Sequence, residues 1–145
     1  MVTQETLNLT SVIFSANLII IDDLMHQAND SKVISDFFTK GSHHRNTSII
    51  LIQQNFFVRG KESRNISINA QYIVFFKNPR DKLAISAFAK QMHPGRSRKF
   101  ISIFEDATKE PHSYLFVDLK PKTDEKLRLS TGVLGENKYA IVYRI

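Results

Sequence analysis

The stretch Asn17–Gln27, "NLIIIDDLMHQ", decides how the rest of the chain is read. Four apolar residues, Leu18 to Ile21, run directly into two adjacent carboxylates, Asp22 and Asp23. A run this short and this continuously apolar fits a buried strand of a parallel sheet rather than an exposed one. The acids then either close the strand at the surface or stand at the rim of a sheet to hold something cationic. Further along, "TSIILIQQN" (Thr47–Asn55) repeats the pattern, an apolar run that stops at polar amides. "YIVFF" (Tyr72–Phe76) and "YLFVDL" (Tyr114–Leu119) read as two more buried strands, and "KYAIVYRI" as an edge strand at the C-terminus.

Helical patterns fill the gaps. Val33, Ile34, Phe37 and Phe38 share one face of Asp30–Lys40, and Gly41 ends it. "RNISINA" (Arg64–Ala70) is a short helix or turn. "NPRD" predicts Asn78 as N-cap and Pro79 as first helical residue of a helix with Ile85, Phe88, Ala89 and Met92 on one stripe. "HPG" stops that helix, and a second covers Lys99–Ala107. Strands alternating with helices predict an α/β fold with a mostly parallel, doubly wound sheet.

Composition sets the outer bounds. A chain of 145 residues with eleven Phe suits one domain with a single core. Cysteine is absent, which excludes disulfides and cysteine-based zinc sites and suits a reducing interior. No apolar run approaches the roughly 20 residues of a membrane span, and the N-terminus does not read as a signal peptide. An intracellular protein with no membrane partner is expected. The net charge of +6 is concentrated: Lys77, Arg80, Lys82, Lys90, Arg96, Arg98 and Lys99 face a single acid, Asp81, in the same stretch. Such a segment is either a solvated helix face or a surface for a polyanion, and these seven are the candidate nucleic-acid-binding residues.

In a doubly wound sheet, ligands lie beyond the C-terminal ends of the strands. Asp22 and Asp23 end the first strand there, and Gln53, Gln54 and Asn55 end the second. Nucleotide hydrolysis of the P-loop kind uses this combination. One carboxylate helps hold a largely hydrated Mg²⁺, a second acid polarises the attacking water, and a neutral amide on the next strand bonds that water or the γ-phosphate. Arg45 in "GSHHRN" and Arg64 in "GKESRN" flank the amide strand, where a guanidinium can stabilise charge on a transferring phosphoryl group. His43 and His44 are adjacent, point opposite ways on extended chain, and read as loop residues rather than metal ligands. A weaker alternative is a two-metal nuclease built from Asp22, Asp106 and Asp118.

Four stretches carry a family resemblance: "LIIIDDLM", "FFTKGSHHRNTSIILIQQN", "GKESRNISINAQYIVFFKNPRDKLAISAFAKQMHPG" and "FEDATKEPHSYLFVDLKP". Together they resemble the genome-packaging ATPases of Polinton (Maverick) transposons and related virus-like elements, in the FtsK–HerA superfamily of P-loop DNA-pumping motors. The resemblance spans Asn17 to Pro121. It implies a three-layer P-loop NTPase-like (ASCE, RecA-like), mostly parallel sheet, truncated on its N-terminal side. It places Asp22 and Asp23 on the Walker B pair, as the magnesium-organising and catalytic acids, and Gln54 on the sensor glutamine. Arg64 falls on an arginine that packaging ATPases carry before the third strand. Arg45 is offset from the superfamily's arginine, whose place is taken here by His43. By resemblance the intact parent binds ATP and Mg²⁺ and assembles as a homo-oligomeric ring on double-stranded DNA. Expression from a eukaryotic virus-like element would place it in the nucleus.

One part of the pattern is missing. A P-loop requires Gly-x-x-x-x-Gly-Lys-Ser/Thr, whose amides and Lys cradle the phosphates. "GKE" at Gly60–Glu62 has the wrong third residue and Asn55 where the first Gly belongs. Family members carry that loop well upstream of Walker B, and sixteen residues precede Asn17 here. The sequence therefore predicts the Walker B and sensor portion of a motor domain, from Asn17 to Ile145 behind a divergent segment 1–16. The expected function is that of a fragment or truncated form of a DNA-packaging ATPase, inactive alone; the alternative is an inactive relic acting as a basic nucleic-acid-binding or structural protein.

Overall fold

The computed structural model describes residues 18–22, 32–36, 38–39, 47–56, 61–134 and 139–145. The chain divides into two compact units, Met1–Asn69 and Ala70–Ile145. Each contains its own sheet.

The first unit contains β1 (Leu18–Asp22), α1 (Lys32–Asp36), β2 (Ser48–Ile52) and α2 (Lys61–Asn69). β1 and β2 pair in parallel, with Leu18 opposite Ser48 and Asp22 opposite Ile52. Alternation along each strand sends successive side chains to opposite faces. Ile19, Ile21, Ile49 and Leu51 pack with Ile34 of α1 and Ile66 of α2, joined by Phe38. Leu18, Ile20, Ile50 and Ile52 alternate with them and stay about half exposed, at 51, 59, 47 and 49%. The strands are apolar on both faces and covered on one.

The second unit contains β3 (Tyr72–Phe76), α3 (Lys82–Met92), α4 (Ser97–Ala107), β4 (Tyr114–Asp118), a 3₁₀ turn (Glu125–Leu127), β5 (Leu129–Thr131) and β6 (Ile141–Tyr143). Its sheet runs β3-β4-β5-β6, and every neighbouring pair is antiparallel. Ile73 and Phe75 of β3, Leu115 and Val117 of β4 and Leu129 of β5 form the inner face, buried with Ala84, Ile85, Phe88 and Ala89 of α3 and Phe100, Ile103 and Ala107 of α4. Phe88 sits at the centre, 4.9 Å from Phe75 and 5.7 Å from Phe100 between ring centroids.

Local signals fix the ends of these helices. The Asp81 carboxylate accepts from the Ala84 amide at 3.1 Å and caps α3. Asn78 accepts instead from Arg80 N–H at 3.0 Å, so the predicted cap closes the turn before the helix. His93 ends α3, and Gly95 makes the turn into α4 with φ of +85°, a conformation that suits glycine. Arg128 fastens the β4–β5 connection. Its Nη1 donates to the carbonyls of Asp118 and Lys120, both at 3.0 Å, and its Nε to Glu125 at 2.7 Å.

The expectation of a mostly parallel, three-layer P-loop-like sheet is overturned. The described residues form one parallel pair and a separate antiparallel sheet of four strands. The physical reason lies in the number of crossings. A single helix between strands carries the chain back to the starting end, and the next strand runs parallel. Between β3 and β4 stand two helices of eleven residues each, each about 16 Å long and so near the length of a five-residue strand. Two such passes leave the chain at the end where it began, and β4 must return antiparallel. The short connections β4–β5 and β5–β6 then continue as a meander.

Candidate functional site

The rim of the parallel pair holds the first candidate group. In-register pairing sets Asp22 opposite Ile52, the residue just before Gln53. Acid and amides therefore leave the sheet at the same edge. Asp22, Ile52, Gln53 and Gln54 together line a shallow, open surface depression. Asp22 and Gln54 are exposed and Gln53 is half-buried. The resemblance gives a role to Gln54 alone, whereas Gln53, at the same strand end, lines the depression beside it.

The other residues assigned by resemblance fall elsewhere. Asp23 and Arg45 lie outside the described residues. Arg64 is exposed on α2, and its carbonyl accepts from the Ser67 hydroxyl at 2.9 Å. It does not line the depression, and among the described residues no hydrogen bond or ion pair joins it to Asp22 or Gln54.

One described carboxylate beside two neutral amides suits a divalent cation that keeps most of its water, as Mg²⁺ does, and not one stripped of its shell. Among the described residues no three His, Asp or Glu side chains converge on a point. The sequence contains no loop of the form Gly-x-x-x-x-Gly-Lys-Ser/Thr, the element with which the implied family cradles a nucleotide's phosphates. Asp106 and Asp118, the other carboxylates of the nuclease alternative, have partners of their own. Asp106 accepts from the Tyr143 hydroxyl at 2.8 Å, and burial, followed by that bond, pushes the Tyr143 phenol up to about 12. Asp118 accepts from Lys120 N–H at 2.9 Å and pairs with its ammonium at 3.7 Å. Each carboxylate is engaged where it stands.

Compared with protein-family models, curated proteins and solved structures, the chain matches none.

The second candidate group is the basic surface of Ala70–Ile145. Lys77 and Arg80 lie in the connection from β3 to α3, Lys82 and Lys90 on α3, Arg96 at the N-cap of α4, and Arg98 and Lys99 in its first turn. All seven are exposed, and none makes an ion pair with a described residue. The start of α4 is the informative point. Arg96 makes no side-chain capping bond, and the first turn has no acid. The positive end of a helix dipole disfavours cations there, so three of them gather where the helix itself gains nothing.

His93 sits between these helices. Its ring lies 6.1 Å from that of Phe100, and its Nε2 is buried without a hydrogen-bond partner among the described residues. Burial lowers its pKa, Glu125 opposes that in part, and Arg128 and Arg96 add to it. No described helix is long and apolar enough to cross a membrane.

Proposed function

We propose that this chain supplies the magnesium-organising acid and the sensor amides of an ATP-driven DNA-packaging motor, and that it does not turn over ATP by itself. The observation that supports this reading is the parallel register that brings Asp22 and Gln53–Gln54 to one edge of β1 and β2. An acid that orders a hydrated cation, with an uncharged amide on the adjacent strand, is the pairing that phosphoryl transfer uses to place charge without adding more of it. The test is paramagnetic: Mn²⁺ titrated into ¹⁵N-labelled full-length protein. Selective broadening of the Asp22, Gln53 and Gln54 amides is expected, lost in Asp22→Asn, with Mg-ATP titration giving no micromolar binding. Broadening that ignores Asp22→Asn, or ATP hydrolysis by the chain alone, overturns the reading.

A second reading rests on the seven exposed cations. In it the α3–α4 surface meets the phosphates of duplex DNA, with the α4 N-terminus as its strongest point. Binding to a duplex that falls steeply with salt, by a slope of about −0.9 per phosphate contacted, is the expected outcome. Affinity indifferent to ionic strength removes the electrostatic argument.

A further inference from the structure

The outer face of the four-stranded sheet is built of rings and lysines. Tyr72, Val74 and Phe76 of β3 stand there opposite Asp118, Phe116 and Tyr114 of β4. Tyr72 and Phe76 are 45 and 59% exposed. The rings pair across the strands, Tyr72 with Phe116 at 5.3 Å and Phe76 with Tyr114 at 6.0 Å between centroids. Tyr114 is further held by its hydroxyl, which bonds the backbone N–H and carbonyl of Leu134. Phe76 and Tyr72 are thus the open members of two aromatic pairs.

Cations border both. The Lys120 ammonium sits 4.8 Å from the Tyr72 ring centroid. Its pKa is raised, first by a hydrogen bond to Tyr72, which outweighs the opposing desolvation, and further by the charge of Asp118. Around Phe76, a cleft is lined by Lys77, Lys109, Glu110 and His112. Three lysines therefore meet two carboxylates, and one of those, Asp118, is already paired with Lys120.

We propose that this face is a platform for a single-stranded polynucleotide, with bases stacked on Phe76 and Tyr72 and phosphates met by Lys77, Lys109 and Lys120. Every base has a π-face, so aromatic stacking beside lysines binds single strands without needing a sequence. In a duplex those faces are covered by neighbouring bases. Four residues at about 3.3 Å each separate the two rings by about 13 Å, so each takes a different base. An apolar protein partner would want the aliphatic surface that β1 and β2 show; here lysines border the rings, which suits an occupant that is aromatic and anionic at once. The proposal shares only Lys77 with the duplex-binding reading, which otherwise rests on cations of Arg80–Lys99 around α3 and α4.

The test uses the full chain with fluorescein-labelled oligo-dT, oligo-U and a duplex of equal length. The protein has four Tyr and no Trp, so stacking is also read as quenching of tyrosine emission. Single strands are expected to bind with quenching, whereas heparin, a polyanion without bases, binds without it. Phe76→Ala and Tyr72→Ala leave the charge unchanged, and each should weaken oligo-dT binding about tenfold while duplex binding holds. Preference between oligo-dT and oligo-U assigns DNA or RNA, and equal binding assigns a sugar-blind platform. Unchanged affinity in both variants, or a saturated wild-type complex with no quenching, overturns the proposal. So does a self-association that Phe76→Ala abolishes while oligo-dT still binds, since the face then joins two copies. The wild-type quenching needs no variant and stands if either substitution harms folding.

Discussion

The two-stranded sheet of Met1–Asn69 and the four-stranded sheet of Ala70–Ile145 each bury one face and show the other, under different rules. Antiparallel sheets commonly meet water on one side, whereas parallel strands are almost always covered on both. The second unit follows its rule: Leu115, Val117 and Phe100 are wholly buried on the inner side, and rings with lysines face out. The first unit departs from its own. Its outer face carries Leu18, Ile20, Ile50 and Ile52, each about half exposed, and its inner cluster is centred on three residues, Ile21, Ile34 and Ile66. The lesson is that strand composition reports the environment a strand is made for, and β1 and β2 are made for more cover than the described residues give them.

The contrast can be pressed hardest at Phe100. Replacing it with Ala removes a ring that touches Phe88 and His93 and is expected to destabilise the second unit by about 3–5 kcal/mol. Urea denaturation, with hydrogen exchange at the Phe75, Leu115 and Val117 amides, measures it. A loss under about 1 kcal/mol would mean that the inner face is not the close-packed core described.

A smaller effect comes from pH. His93 has a folded-state pKa below its unfolded value near 6.5, so between the two the unfolded chain binds the extra proton. The stabilising contribution is present above pH 6.5 and is lost as pH falls toward the folded pKa. Chemical denaturation followed downward from pH 7 should show that decline. His93→Gln should flatten it, and an unchanged slope in that variant would assign the decline to other groups.

The smallest change in stability is expected at Ile20. Ile20→Lys on the exposed face of β1 should alter unfolding free energy by about 0.5 kcal/mol or less and reduce self-association in sedimentation velocity. A loss of several kcal/mol would break the comparison, because it would show that this face is covered in the folded chain.

Much of the local structure was legible in sequence. Leu18–Ile21, Tyr72–Phe76 and the core of Thr47–Asn55 are strands because unbroken β-branched and aromatic runs of that length have few alternatives. The stop at "HPG" and the acid–amide rim were also readable from residue type alone. Strand direction was not. "YIVFF" and "YLFVDL" are as apolar as parallel strands usually are, since aromatic residues occupy both faces, and composition cannot say that one face is open. The count of helices between them held the answer, but the alternation of strands with helices points to a parallel sheet unless that count is taken into account. The capping of α3 was misread for a related reason. Asn78 and Asp81 are both good caps, and only the geometry shows that one closes a turn and the other starts the helix.

Arg128 gives the fold a single buckle. One planar guanidinium grips two carbonyls from the end of β4 and the carboxylate of Glu125, a three-way hold that an ammonium on a flexible stem cannot reproduce. Sequence drift among the intervening residues 121–124 and 126–127 would therefore be forgiven more readily than the modest exchange of this one arginine for lysine. That exchange would loosen the alignment of the last two strands while leaving the aromatic inner layer shut.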